Sequence, residues 1–328
     1  MTDDSARTLS PDEAFEVLGD ETRVAILRAL GGVDEPLSFT ALRDRVGTAD
    51  SGRFNYHLDR LVGHFVLKRD SGYVLGRPGE RVVEAVLSGA VTDAPVLERT
   101  VIDHPCHFCG APVAVRFREE RVELYCTECP GAYARSSSPD DAPGRSPDDA
   151  PGRDTAPARG YLGYHPLPPV GVAERGPADV VRSAWVWGHL ELLSAAAGVC
   201  PRCSAALDRD VRICEDHDGG DDLCGTCGRR HAVAFDLRCT NCIYEESGGA
   251  AVGFADSDAL LEFLFERGLN PFAPTTETLP AISRAYNGFE EDVVSTDPFE
   301  VRFTVAIDGD ALTLTVGDDL SVVDAKRR

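Results

Sequence analysis

The sequence predicts an α+β fold assembled from unlike parts, and three observations carry that prediction. The first ninety residues place apolar side chains at helical spacing, the later residues set short alternating segments between paired cysteines, and a tract of Pro, Asp, Ala, Gly, Arg and Ser lies between two halves. At about 100 to 200 residues per domain, 328 residues allow two or three units.

Taken in order, Ser10 caps a short helix over Pro11 to Leu18, and Asp20 caps a second whose Val24, Ile26, Leu27 and Leu30 end at Gly31-Gly32. A third runs near Ser38 to Val46 with Phe39, Leu42 and Val46 on one side. In a fourth, from about Asp50 to Gly63, Phe54, Leu58 and Leu61 fall at i, i+4 and i+7 and form one buried stripe. Ser51, Arg53, Asn55, Tyr56 and Arg60 then face away, and His57, beside the stripe, reads as a packed, hydrogen-bonded residue. Phe65-Val66-Leu67, a polar turn over 68–72 and Tyr73-Val74-Leu75 read as a hairpin, followed by a helix from Gly79 to about Leu87.

That order suits a winged helix-turn-helix over residues 10–90, with double-stranded DNA as partner. The fourth helix would enter the major groove, where Arg53 can grip guanine and Asn55 can pair with adenine. Ser51, Tyr56 and Arg60 are candidates for phosphate contacts, and Lys68 and Arg69 at the hairpin tip for the wing. Between Ser38 and Arg81 eight basic residues face five acidic ones, a net of +3 inside a chain of −22.

Ten of the eleven cysteines form five Cys-x-x-Cys pairs, and Cys214 with His217 makes a sixth, so twelve soft ligands suffice for three tetrahedral zinc sites. Cys106, Cys109, Cys126 and Cys129 enclose 16 residues with alternating apolar positions, which reads as a two-stranded zinc ribbon over 100–135, with His107 a spare donor pointing to solvent. Taken sequentially, Cys200, Cys203, Cys214 and His217 form a second site and Cys224, Cys227, Cys239 and Cys242 a third; spacing leaves interleaved partners open. Disulfides would need a secreted chain and would leave one cysteine over, while iron in a rubredoxin-like site is the sharper rival to zinc.

The tract at 136–160 carries one octapeptide in tandem, at 138–145 and 146–153, and reads as a disordered linker. Residues 161–328 then read as a zinc-stapled α+β domain. Its elements are a helix over about 178–197 carrying Val181, Trp185, Leu190 and Leu193, a helix over 257–267 packed nearly all round, and strands near 299–307, 312–316 and 321–323. Glu290-Glu291 and Asp318-Asp319 read as acidic surface. No phosphate loop, no Gly-x-Ser-x-Gly and no open three-ligand metal site appears, so no enzyme is expected. Fifty-five acidic residues against 33 basic, with lysine only at 68 and 326, point to a halophile; no signal peptide opens the chain and no apolar run approaches a membrane span, so a cytoplasmic protein is expected.

Three segments carry a more specific likeness. Leu18-Gly19-Asp20-Glu21-Thr22-Arg23-Val24-Ala25-Ile26-Leu27, Tyr56-His57-Leu58-Asp59-Arg60-Leu61 and Gly72-Tyr73-Val74-Leu75 resemble the ArsR-like winged-helix regulators of haloarchaea over roughly residues 10–90. Beyond residue 90 the likeness is looser, through the cysteine-rich segments that such regulators often carry. The resemblance implies a dimeric DNA-binding transcriptional regulator; because no cysteine precedes Cys106, it implies nothing about metal sensing in the winged helix. The carboxy-terminal domain would bind a protein partner or an effector. The alternative is a zinc-stapled adaptor that docks on the basal transcription machinery without reading sequence, and a milder variant is a redox switch at the zinc thiolates.

Overall fold

The structure, a computed structural model, describes residues 9–134 and 159–328; the tandem octapeptide and most of the 136–160 tract lie outside the described residues. The chain divides into two compact units at Asp93/Ala94.

In the first unit, helix α1 (Pro11–Leu18) opens on a capping box between Ser10 and Glu13, and α2 (Glu21–Gly31) on Asp20, which accepts from the Thr22 and Arg23 amides. Ser38 caps α3 (Phe39–Val46), which stops at Gly47 in the left-handed conformation (φ 76°). Asp50 caps α4 (Ser51–Leu61); the Arg53 and Gly52 amides it accepts hold its carboxyl below the usual value. Strands β1 (Val66–Arg69) and β2 (Gly72–Leu75) pair antiparallel around a two-residue turn, shorter than the five-residue turn expected. Tyr73 exchanges both backbone hydrogen bonds with Leu37, at 2.8 and 3.1 Å, and a Cβ on neighbouring Gly72 would fall 2.4 Å from the Leu37 carbonyl, so glycine is required there. Helix α5 (Arg77–Leu87) begins two residues earlier than expected, because Pro78 fits a first turn where its missing N–H loses no partner. Ile26, Leu27, Leu42, Phe54, Leu58 and Leu61 are fully buried together, each worth about 1.5–3 kcal/mol of burial.

The second unit opens with an antiparallel sheet in the order β3 (Leu97–Pro105), β4 (Pro112–Arg118), β5 (Arg121–Cys126) and β6 (Tyr161–Pro166). The two-stranded ribbon expected is therefore the centre of four strands. Its fourth strand comes from beyond the 136–160 tract, so residues 100–134 and 161–328 share one compact unit. Gly160 is bonded into this edge, its carbonyl accepting from the Cys126 amide at 2.7 Å.

Helix α6 (Pro177–Ala196) buries Val180, Val181, Ala184, Trp185 and His189 and exposes Leu190. A second sheet holds β7 (Leu207–Ile213), β8 (Val233–Cys239) and β9 (Glu245–Gly248). After α7 (Asp258–Phe265), whose Phe265 is half exposed rather than packed, come α8 (Leu279–Asn287) and a meander of β10 (Glu290–Thr296), β11 (Phe299–Ile307), β12 (Asp310–Val316) and β13 (Val322–Arg327). Strand β11 alternates buried and less buried positions along its length, as a half-covered strand must. The Glu290-Glu291 pair, read as surface, is part of β10: Glu291 accepts from the Ala232 amide at 2.6 Å and the Val233 amide at 3.2 Å, and burial holds its carboxyl above the usual value. Trp185, Phe235, Phe254, Phe263, Tyr286 and Phe303 belong to one continuous core. Among the described residues no helix is long and apolar enough to cross a membrane.

Candidate metal centres and nucleic-acid interface

All twelve sequence-predicted metal ligands gather, in three groups of four whose ligand atoms lie within 4.8 Å of one another. The first is Cys106, Cys109, Cys126 and Cys129, as expected. The other two are interleaved: Cys200, Cys203, Cys239 and Cys242 form one, and Cys214, His217, Cys224 and Cys227 the other, which corrects the sequential pairing. The reason is the β7–β8 hairpin. Leu207 pairs with Cys239 at its open end and Ile213 with Val233 at its closed end, so the cysteines outside the hairpin meet at one end and those inside its loop meet at the other.

The turns that present these ligands are copies of one another. Gly110, Ser204 and Gly228 each follow a second cysteine, adopt left-handed φ of 78°, 62° and 65°, and donate to the carbonyl of the first cysteine at 2.9, 2.9 and 2.8 Å. Backbone amides also point at the sulfurs, for example Cys129 and Glu128 toward Cys126 at 3.3 and 3.4 Å.

Distances test what the groups can hold. Four ligands about 2.3 Å from a tetrahedral ion stand about 3.8 Å apart, whereas a disulfide needs about 2.05 Å. The sulfurs lie 3.8 and 3.4 Å apart in the first group, 3.7 and 3.5 Å in the second, and 4.0 Å for Cys214–Cys224 in the third. His217 turns Nδ1 toward Cys227 at 3.6 Å, while its Nε2 lies 3.0 Å from the Arg230 carbonyl, a partner that fixes the proton on Nε2 and frees Nδ1 for a metal. Cys203 is drawn down to about 6 by the Ala205 amide and the Asn241 side chain, and Cys214 is pushed up to about 11 by desolvation and the Cys227 and Cys224 sulfurs. Thiols so crowded cannot all ionise without a cation between them. The residues therefore fit three metal ions with every tetrahedral position filled by protein.

His107 departs from expectation. It is 8% exposed, its ring stands edge-on to Phe108 at 4.3 Å, and burial lowers its imidazole to about 3, so it is a core residue and not a solvent-facing spare donor. The first and third groups are tied by Arg230, whose guanidinium covers Phe108 at 4.2 Å and whose Nε donates to the Gly131 carbonyl at 3.1 Å.

On α4, Ser51, Arg53, Asn55, Tyr56 and Arg60 are exposed while Phe54, His57, Leu58 and Leu61 are buried, and Lys68 and Arg69 are exposed at the hairpin. His57 packs inside with Nδ1 3.3 Å from the Asp20 carboxylate. Several candidates have partners within the chain: Asn55 donates to Asp59 at 2.8 Å, Arg60 pairs with Glu16 at 2.8 Å, and Lys68 lies over the Tyr73 ring at 5.8 Å. Arg43, Arg77 and Arg81 pair with Asp44, Glu80 and Glu84. Exposed pairs of this kind are worth about 0–1 kcal/mol and can be exchanged for phosphate.

The profile of a domain of unknown function, DUF7347, matches residues 11–86, and that of another, DUF7351, matches residues 103–322, about two thirds of the chain. No curated protein and no solved structure matches the chain.

Proposed function

We propose that this chain, which belongs to the DUF7351 family, is a DNA-binding transcriptional regulator whose first unit is an ArsR-like winged helix-turn-helix and whose second unit is held together by three structural zinc ions. The observation that carries the reading is the division of α4 into a buried stripe of Phe54, Leu58 and Leu61 and an outward row of Ser51, Arg53, Asn55, Tyr56 and Arg60. An outward row of this composition at a helix start suits base edges and phosphates. The Leu37–Tyr73 bridge supplies the small third strand beside the hairpin, and Lys68 and Arg69 stand at the wing tip.

Zinc is favoured over iron because the third group mixes one imidazole with three thiolates. The ions would act as cross-links, replacing apolar core that short strands cannot supply, and sites filled by four protein ligands leave no position for substrate. The regulator acts in the cytoplasm as a homodimer on paired half-sites.

Chromosomal occupancy of the tagged protein in its native cells, compared with the Arg53→Ala, Asn55→Ala variant, tests the reading. Discrete promoter peaks that vanish in the variant are expected. Peaks that persist, or signal that merely follows RNA polymerase, would replace it by an adaptor that docks on the transcription machinery.

A further inference from the structure

The backbone from Gly228 to Ala232, between the last cysteine of the third metal group and β8, serves two metal groups at once. Toward the third group, the Arg229 carbonyl accepts from the Cys224 amide at 3.0 Å, the Arg230 carbonyl lies 3.0 Å from His217 Nε2, and the Ala232 carbonyl accepts from the Cys214 amide at 3.0 Å. Cys214, His217 and Cys224 of that group are therefore held by this short strip. Toward the first group, the Ala134 amide donates to the Gly228 carbonyl at 2.6 Å and the Arg230 amide to the Ala132 carbonyl at 2.9 Å. Residues 132–134 continue directly from the turn of Cys126 and Cys129.

The side chain of Arg230, half-buried, repeats the arrangement. It donates through Nη1 to the Gly220 carbonyl at 3.0 Å and through Nη2 to the Asp221 carbonyl at 2.7 Å, which fixes the loop between His217 and Cys224. Through Nε it donates to Gly131, two residues after Cys129, and its face covers the ring of Phe108, which stands between Cys106 and Cys109. A planar guanidinium with donors in a rigid fork can hold these partners together, whereas a lysine ammonium is a single point charge on a flexible stem. The second metal group gathers away from this residue, at the other end of the β7–β8 hairpin.

The loop of the third group has almost no apolar core of its own. Between Cys214 and Cys227 its ten non-ligand residues are five acids, three glycines, Thr226 and Leu223. Such a segment folds on the free energy of metal binding. Without its ion the Gly220 and Asp221 carbonyls would leave Arg230, and the strip 228–232 would lose its fixed course beside 132–134. The first group would then lose the guanidinium that holds Phe108 and Gly131.

We infer that the first and third metal ions bind cooperatively and that Arg230 is the positioning residue that couples them. The inference rests on the reading of both groups as metal sites and does not depend on DNA binding. By linkage the coupling is reciprocal, so each ion raises the affinity for the other by the same factor, and couplings of this kind are typically about 5- to 150-fold. The second ion, outside the reach of Arg230, binds independently of the third.

The test measures zinc affinity of full-length chains by competition with a chromogenic chelator, with bound ions counted by native mass spectrometry. Cys203→Ser keeps the first and third ions, Cys203→Ser with Cys214→Ser keeps the first alone, and Cys203→Ser with Cys109→Ser keeps the third alone. The overall constant for two ions should exceed the product of the two single constants by about tenfold. Arg230→Gln in all three chains should bring this ratio to about one, whereas a merely structural role for Arg230 would weaken every chain and leave the ratio unchanged. Phe108→Leu removes only the ring beneath the guanidinium and guards against a misfolded Arg230 variant; it should lower the ratio at least about threefold. The second and third ions, measured in the same way in Cys109→Ser, should give a ratio of about one. A ratio of about one in chains that keep Arg230, or a tenfold ratio that survives Arg230→Gln and Phe108→Leu, would overturn the inference and leave the metal sites standing. Chains that take up no ion would overturn the metal reading and the inference together.

Discussion

Leu207 stands directly opposite Cys239 in the β7–β8 ladder, and this register position decides which cysteines gather where they could share a metal. The Cys200/Cys203 turn precedes Leu207 and the Cys239/Cys242 turn closes β8, so antiparallel pairing brings them together and leaves the loop between the strands to build its own site.

The nesting predicts metal stoichiometry. Native mass spectrometry should find three ions in the parent and two in Cys203→Ser. Adding Cys239→Ser removes a ligand of the same site and should leave two, whereas adding Cys214→Ser strikes a different site and should leave one. Reversed counts for the two double variants would restore the sequential pairing.

Arg53→Ala should cost about 1–3 kcal/mol of specific affinity and relax preference at one base position. Lys68→Ala at the hairpin should instead weaken binding evenly across sequences and reduce the salt slope by about 1. Fluorescence anisotropy on the promoter fragments recovered from cells separates the two, and identical behaviour of both variants would remove base reading from α4.

Stability should fall in mild acid. Burial lowers His165, His189 and His231 to about 4, below the 6.5 of an exposed imidazole. The unfolded chain then takes up protons first, so their contribution is complete above pH 6.5 and is lost as pH falls toward 4, at up to about 1.4 kcal/mol per pH unit for each histidine. His231 stacks on Phe289 at 4.4 Å, so His231→Phe keeps a ring there and removes the titration. The urea midpoint of this variant should drop less between pH 7.5 and 5.5 than that of the parent; an equal drop would place the acid sensitivity elsewhere.

The knuckle turns offer a backbone test. Ser204 holds φ 62°, where glycine is the better residue, so Ser204→Gly should raise stability by a few tenths of a kcal/mol. Gly110 holds φ 78° with open space around its Cβ position, so Gly110→Ala should lower stability by about 1 kcal/mol through the backbone alone. Thermal unfolding of the two variants should shift in opposite directions.

Much of the molecule was legible locally. Ser10, Asp20, Ser38 and Asp50 cap the helices that their spacing predicted, and the period of Phe54, Leu58 and Leu61 named the outward residues of α4, because caps and helix faces depend on neighbours three or four positions away. The inventory of twelve ligands followed from Cys-x-x-Cys spacing for the same reason. Strand β10 was missed because its Glu290-Glu291 looks like the rest of an acidic surface until Glu291 is seen capping the Ala232 and Val233 amides, some 58 positions back in the chain.

The sequence alone determined the helices of the first ninety residues and those near 178–197 and 257–267, though not α8, and it determined which cysteines and histidine can bind metal and which side chains α4 turns outward, since each depends on contacts within a turn or two. Only the tertiary structure decided how the ligands divide among sites, that β6 completes the sheet of the first metal group, and that His107 and His189 are buried. Those depend on which distant strands lie side by side, and antiparallel pairing brings residues together by register rather than by their order along the chain.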